Sequence, residues 1–191
     1  MIPSSCRGFM REATRPGRAG IRPEGCAMTA QWIAFEASLR GTAPALLADL
    51  NPPATEKTLR SLQQRLGVDL PEDFLDCLRG HDGQQGHADP LFGDYEFLSS
   101  DRILDAWEFW RKQSEGSDFN DDDVEPAAGV RANWWNTKWI PFAANGSGDY
   151  LCLDLAPAEG GVAGQIISVW HDDGARKVRG PSFSVWLRGF F

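Results

Sequence analysis

Apolar positions follow a helical period in the first half of this chain and fall into short runs in the second half. Trp32, Phe35 and Leu39 repeat at helical spacing, and Leu46, Leu47 and Leu50 follow before Asn51-Pro52-Pro53 breaks the run. That pattern predicts one helix and a short turn of another. Thr55 is placed to cap the next helix, Glu56 favours its N-terminal dipole, Leu59, Leu62 and Leu66 form its buried stripe, and Gly67 ends it. Leu70-Pro71-Glu72-Asp73 then opens a third, with Phe74, Leu75 and Leu78 on its apolar face. Gly80-His81-Asp82-Gly83 reads as a turn with solvated side chains, residues 84–90 as a loop, and Leu91 to Leu98 as the place of a short strand. Asp101 to Lys112 is helical by pattern: Ser100 is its cap, and Ile103, Leu104, Trp107 and Trp110 share a side.

The second half changes period. Ser114 to Gly129 holds six carboxylates and almost no core-forming residue, which predicts a mobile acidic loop between a helical half and a β half. Trp139 to Ala143, Tyr150 to Leu155 and Gln165 to His171 are strand candidates. In the middle one, Leu151, Leu153 and Leu155 alternate with Tyr150, Cys152 and Asp154, the pattern of a sheet with one covered face. Asp172-Asp173-Gly174 is the next turn, and Ser182 caps a last helix with Phe183, Trp186, Leu187 and Phe190 on one face. Helices, then strands, then a helix make an α+β protein.

Composition supports a packed domain. Apolar residues make up 42% of 191 positions and there are eight Trp, so a core forms without metal or disulfide staples. The organisation expected is one domain over residues 28–191. Residues 1–27, rich in Arg, Gly and Pro, are read as a tail outside the fold, either disordered or upstream of a true start at Met28, with a transit peptide as the alternative. No apolar run is long enough to span a membrane. Cys6, Cys26, Cys77 and Cys152 form no close pair and read as reduced thiols of a cytoplasmic protein. The net charge is −8, and the first 27 residues carry five Arg against two Glu, so the remainder is more acidic than the whole. That field repels phosphate backbones and attracts basic surfaces, which argues against direct nucleic-acid binding and permits a basic protein partner.

Candidate chemistry is sparse. His81, His87 and His171 form no close ligand pair, so no metal is expected. Asp118-x-Asn120-x-Asp122 imitates a calcium loop but has Asp123 where the sharp turn needs Gly and Gly129 where the closing Glu belongs. Asn145-Gly146-Ser147-Gly148-Asp149 lacks both the phosphate-loop lysine and the nucleophile-elbow pattern and reads as a hairpin turn. Cys77 and Cys152 lie in apolar segments and read as buried. The aromatic patch Trp134, Trp135 and Trp139 is mixed: Trp139 reads as core, while Trp134 or Trp135 is the expected partner contact, beside Asp121, Asp122, Asp123 and Glu125.

Taken in order, Leu70-Pro71-Glu72-Asp73-Phe74, His81-Asp82-Gly83-Gln84, Trp139-Ile140-Pro141-Phe142 and Gly146-Ser147-Gly148-Asp149-Tyr150-Leu151-Cys152-Leu153-Asp154 resemble the SUKH superfamily. That group includes fungal cell-wall-assembly regulators of the Smi/Knr type and many bacterial proteins. Gly164-Gln165-Ile166-Ile167 and Ser182-Phe183 fit as well, so the resemblance runs from about Trp32 to Phe190. It implies N-terminal helices packed on a mixed, mainly antiparallel sheet with a C-terminal helix, and neither catalytic centre nor cofactor. Its motif residues are expected to serve folding: Pro71 starts a helix, Gly83 and Gly148 permit turns, Trp139 and Ile140 fill core, and Asp149 and Asp154 hold turns. The function implied first is an immunity protein that neutralises a basic toxin domain, a nuclease or deaminase. A regulatory module of cell-wall assembly is the alternative, and a hydrolase using His81 is the third.

Overall fold

The computed structural model describes residues 30–116 and 121–190. Among them are six α-helices and six strands: α1 (Ala30–Thr42), α2 (Pro44–Ala48), α3 (Glu56–Leu66), α4 (Glu72–Gly80), β1 (Glu96–Phe97), α5 (Ser100–Gly116), β2 (Glu125–Pro126), β3 (Trp139–Ala144), β4 (Tyr150–Asp154), β5 (Gln165–Val169), β6 (Ala175–Gly180) and α6 (Phe183–Leu187). The strands form one mixed sheet in the order β1-β3-β4-β5-β6-β2, antiparallel throughout except where β2 runs parallel to β6. This is the α+β architecture the pattern predicts. The tail of residues 1–27 and the Asp118 and Asn120 positions of the calcium-like stretch lie outside the described residues.

Local chemistry accounts for the helix ends. Thr55 Oγ1 accepts the Thr58 N–H at 3.1 Å, and Gly67 closes α3 in the left-handed region at φ +66°. Ser182 Oγ caps α6 by accepting the Val185 N–H. The start of α5 differs from expectation: Ser100 is its first residue, Ser99 caps it by accepting the Arg102 N–H, and Asp82, eighteen residues before Ser100, accepts the Ser100 N–H and hydroxyl.

Two aromatic groups cover the sheet. Phe142 on β3 meets Phe74, Phe183 and Trp186 at centroid separations of 5.2–5.8 Å. Tyr150 meets Trp110, and Trp110 stacks on Trp135, which meets Trp139 edge-on. The single covered face inferred for β4 is therefore corrected: Leu151, Cys152, Leu153 and Asp154 are all buried, so both faces are lined.

The described residues of the acidic stretch are also more ordered than its composition predicts. Ser114–Gly116 finish α5, Asp121–Asp123 make a single 3-10 turn, Val124 is buried, and Glu125–Pro126 pair with β6. No helix among the described residues is long and apolar enough to cross a membrane.

Candidate functional site

The motif residues sit where chain segments distant in sequence are tied together. Leu70 is buried and its N–H is held by Gln63 Oε1 at 2.8 Å, while the Pro71 carbonyl accepts the Phe74 and Leu75 N–H groups that open α4. His81 does not project into solvent as its turn-like context predicts. Its Nδ1 lies 2.7 Å from the Asn51 carbonyl, its Nε2 3.3 Å from Glu36, and its ring 6.2 Å from Trp32. The motif is tied to the segment after α2 because Asn51 bridges the Asp82 and Gln84 carbonyls through its side-chain amide. Asp82 accepts both the N–H and the hydroxyl of Ser100, at 2.7 and 2.8 Å.

Gln84 is the most fully engaged of these groups. Its Oε1 accepts the Leu91 and Phe97 N–H groups, and its Nε2 donates to Asp49 and to the Asp89 carbonyl. Asp49 is buried, and burial alone raises a carboxyl. The N–H of His87, the Gln84 amide and the N–H of Gly86 outweigh that and hold Asp49 below the usual carboxylate range. No sequence motif marks Asp49; the signal lies only in its distant partners.

At the sheet, Trp139, Ile140 and Pro141 are buried in β3, and the register with β4 shifts just after Pro141, which has no N–H to offer the ladder. Gly148 turns at φ +102°, and an added Cβ would lie 3.1 Å from the His171 ring. Asp149 accepts from the Asn145 amide, the His171 N–H and the His171 ring. Burial raises this carboxyl too, and the bonds from His171 and Asn145 pull it below its ordinary value. The donor atoms of Asp149, His171 and Asp172 lie within 4.8 Å of one another, an exposed group on which a cation could be held, although Asp149 already serves the two turns.

Asp154 is buried between the Gln165 amide and the Ala156 N–H. Burial raises its carboxyl above the ordinary range despite those bonds. A raised folded value means stability that is full below the ordinary 3.8 and is lost as pH climbs through the folded value. Asp154→Asn removes this titration. The stability advantage of the native protein over Asp154→Asn is therefore expected to shrink as pH rises from about 4 to 7, and urea denaturation at several pH values checks it. A constant difference would contradict the assignment.

The residues read as partner contacts divide. Trp135 is buried on Trp110 at 5.4 Å, which corrects the expectation for its side chain: it is core. Trp134 stays partly exposed, its N–H bonded to Asp121 at 2.6 Å and its ring beneath the guanidinium of the buried Arg176. Asp121, Asp122, Asp123 and Glu125 are exposed around it. For nucleophilic chemistry the thiols are poorly suited: Cys77 and Cys152 are buried, and burial pushes both well above the ordinary thiol range.

Fold and motif geometry thus define an α+β domain whose polar motif residues hold its own backbone. The chain belongs to the SMI1/KNR4 family (SUKH-1), whose model matches residues 53–189. It is similar to a glucan synthesis regulatory protein of Neurospora crassa, 23% identical over 86% of this chain and 38% of that protein. It is also similar to a cell wall biosynthesis and cell cycle regulator of Schizosaccharomyces pombe, 26% identical over 93% of this chain and 38% of that protein. A third relative is the cell wall assembly regulator SMI1 of Saccharomyces cerevisiae, 22% identical over 77% of this chain and 36% of that protein. The chain spans under two-fifths of the length of these relatives. All three are described as regulators, so the comparisons favour the regulatory expectation over the toxin-neutralising one.

Proposed function

We propose that this chain is a regulatory protein-binding module, of the kind the descriptions of its fungal relatives point to, acting in envelope assembly or synthesis without chemistry of its own. The observation that carries this reading is the fate of the motif side chains. Asp82, Gln84, Asp149 and Asp154 all bind backbone N–H groups, and His81 meets a backbone carbonyl and Glu36. Groups held in this way keep a surface rigid. The surface then acts by shape and charge, and here Trp134 with Asp121, Asp122, Asp123 and Glu125 supplies an aromatic anchor within a negative field.

The test is capture by the full chain from its source cells at low and high salt, followed by mass spectrometry. Envelope-assembly or regulatory proteins, retained at low salt and weakened at high salt, are expected. Capture of a toxin domain instead would replace the regulatory role with the immunity role. Absence of any specific partner at both salt concentrations would count against protein binding as the function.

A further inference from the structure

The acidic turn at Asp121–Asp123 has a second acidic turn pressed against it. Asp172 and Asp173 follow β5, roughly fifty residues later in the chain, and Gly174 makes the approach: a Cβ there would lie 2.0 Å from the Asp123 carbonyl oxygen. The Gly174 carbonyl also accepts the Glu125 N–H at 2.9 Å. Between the two turns is an open cavity of about 620 Å³, walled by Asp123, Trp134, Trp170, Asp172, Asp173 and Gly174. The walls combine three carboxylates with two partly exposed indoles.

That combination selects a cation: carboxylates repel anions, and the face of an indole attracts ammonium and guanidinium groups. The protein's own side chains display the preference. The Arg176 guanidinium lies 5.3 Å from the centre of the Trp134 ring, and the Lys177 ammonium lies 5.0 Å from that of Trp170. Arg176 is fully buried, and its bonds to the Trp134 and Asp173 carbonyls hold it behind the cavity wall, against the Trp134 ring. Lys177 is exposed, so a second cation can share or take its place on Trp170 with little loss.

We propose that this cavity seats a lysine or arginine side chain from a basic segment of the partner protein. The proposal rests on the protein-binding reading above and adds the second turn and Trp170 to its surface. The turns are braced independently of the carboxylates' charge. Asp173 Oδ1 accepts the Ala175 N–H, a bond that asparagine also makes. Asp172→Asn with Asp173→Asn therefore removes two charges from the cavity and leaves its walls standing.

The test is an NMR titration of the full chain with an oligolysine peptide, using oligoglutamate as the counter-probe. Saturable oligolysine binding is expected, with amide shifts concentrated in residues 121–125 and 170–175 and no response to oligoglutamate. The paired substitution is expected to weaken binding about fivefold to tenfold. Neutralising Asp69 and Glu159, exposed and away from the cavity, changes the net charge equally and is expected to have far less effect. Equal weakening by both pairs, shifts centred elsewhere, or no saturable binding would overturn the proposal. Cell-derived partners that the doubly neutralised chain still captures at wild-type level would remove the cavity while leaving the protein-binding reading intact.

Discussion

Gly83→Ala is expected to lower stability by about 3 kcal/mol or more, the combined cost of a left-handed alanine and an unrelieved backbone overlap. Gly83 lies at φ +75°, and a Cβ there would come 2.3 Å from Ser99 N and 2.5 Å from the Leu98 carbonyl carbon. Neither atom belongs to a flexible side chain. On its other side the Gly83 carbonyl accepts the Asn51 N–H at 2.8 Å, so the glycine is held between two strands of backbone. Relief requires Ser99 to move, and Ser99 precedes the residue whose N–H and hydroxyl Asp82 binds at the start of α5. Gly146→Ala is the control. It shares a positive φ of +77° but has nothing within 4 Å, so only the conformational cost of about 1 kcal/mol applies. Guanidinium denaturation of both variants separates overlap from dihedral cost, and equal losses would show that the overlap is relieved cheaply.

Gln84→Leu is expected to cost about 3 to 5 kcal/mol, although it hardly changes the buried volume. Leucine leaves the Leu91 and Phe97 N–H groups without their acceptor and takes one donor from Asp49. The position also caps the sheet. The Gln84 N–H donates to the Phe97 carbonyl while its side chain accepts the Phe97 N–H, so this one residue satisfies the outer edge of β1. Hydrogen exchange gives a local readout: the Leu91 and Phe97 amides are expected to lose protection beyond the global change. The pH dependence has a definite sign as well. The lowered folded value of Asp49 contributes stability above the ordinary 3.8 that is lost as pH falls through the folded value. The penalty of Gln84→Leu is thus largest where Asp49 is charged and shrinks in acid. A pH-independent penalty would detach Asp49 from the Gln84 network.

Both substitutions fall within one motif, His81-Asp82-Gly83-Gln84, which reads along the chain as an ordinary turn. It is the junction at which the loop after α2, the start of α5 and the edge strand β1 meet. In the proposed protein-binding role, the motifs hold the domain still and the turns between them carry the contacts. Two of those turns bring the exposed carboxylates Asp123, Asp172 and Asp173 together beside Trp134 and Trp170.

Elements whose signals are local were legible along the chain. Helices α1 and α3 to α6 follow from apolar spacing and from caps such as Thr55, Gly67 and Ser182, and β3, β4 and β5 follow from short apolar runs between turn residues. The ordered motifs sufficed for the family as well. The rest became visible only once the segments were packed together. Strand β6 was hidden because Lys177, Val178 and Arg179 are exposed, so it carries no apolar run. Trp134 and Trp135 are alike as sequence, but successive side chains leave the backbone in different directions, and Trp135 is buried on Trp110 while Trp134 stays partly exposed. Asp49, Gln84 and the pairing of the two acidic turns depend on partners tens of residues away. Local patterns report what each segment buries; which distant groups then meet is set by how the segments pack, and hydrogen bonds and charges act only across the distances that packing creates.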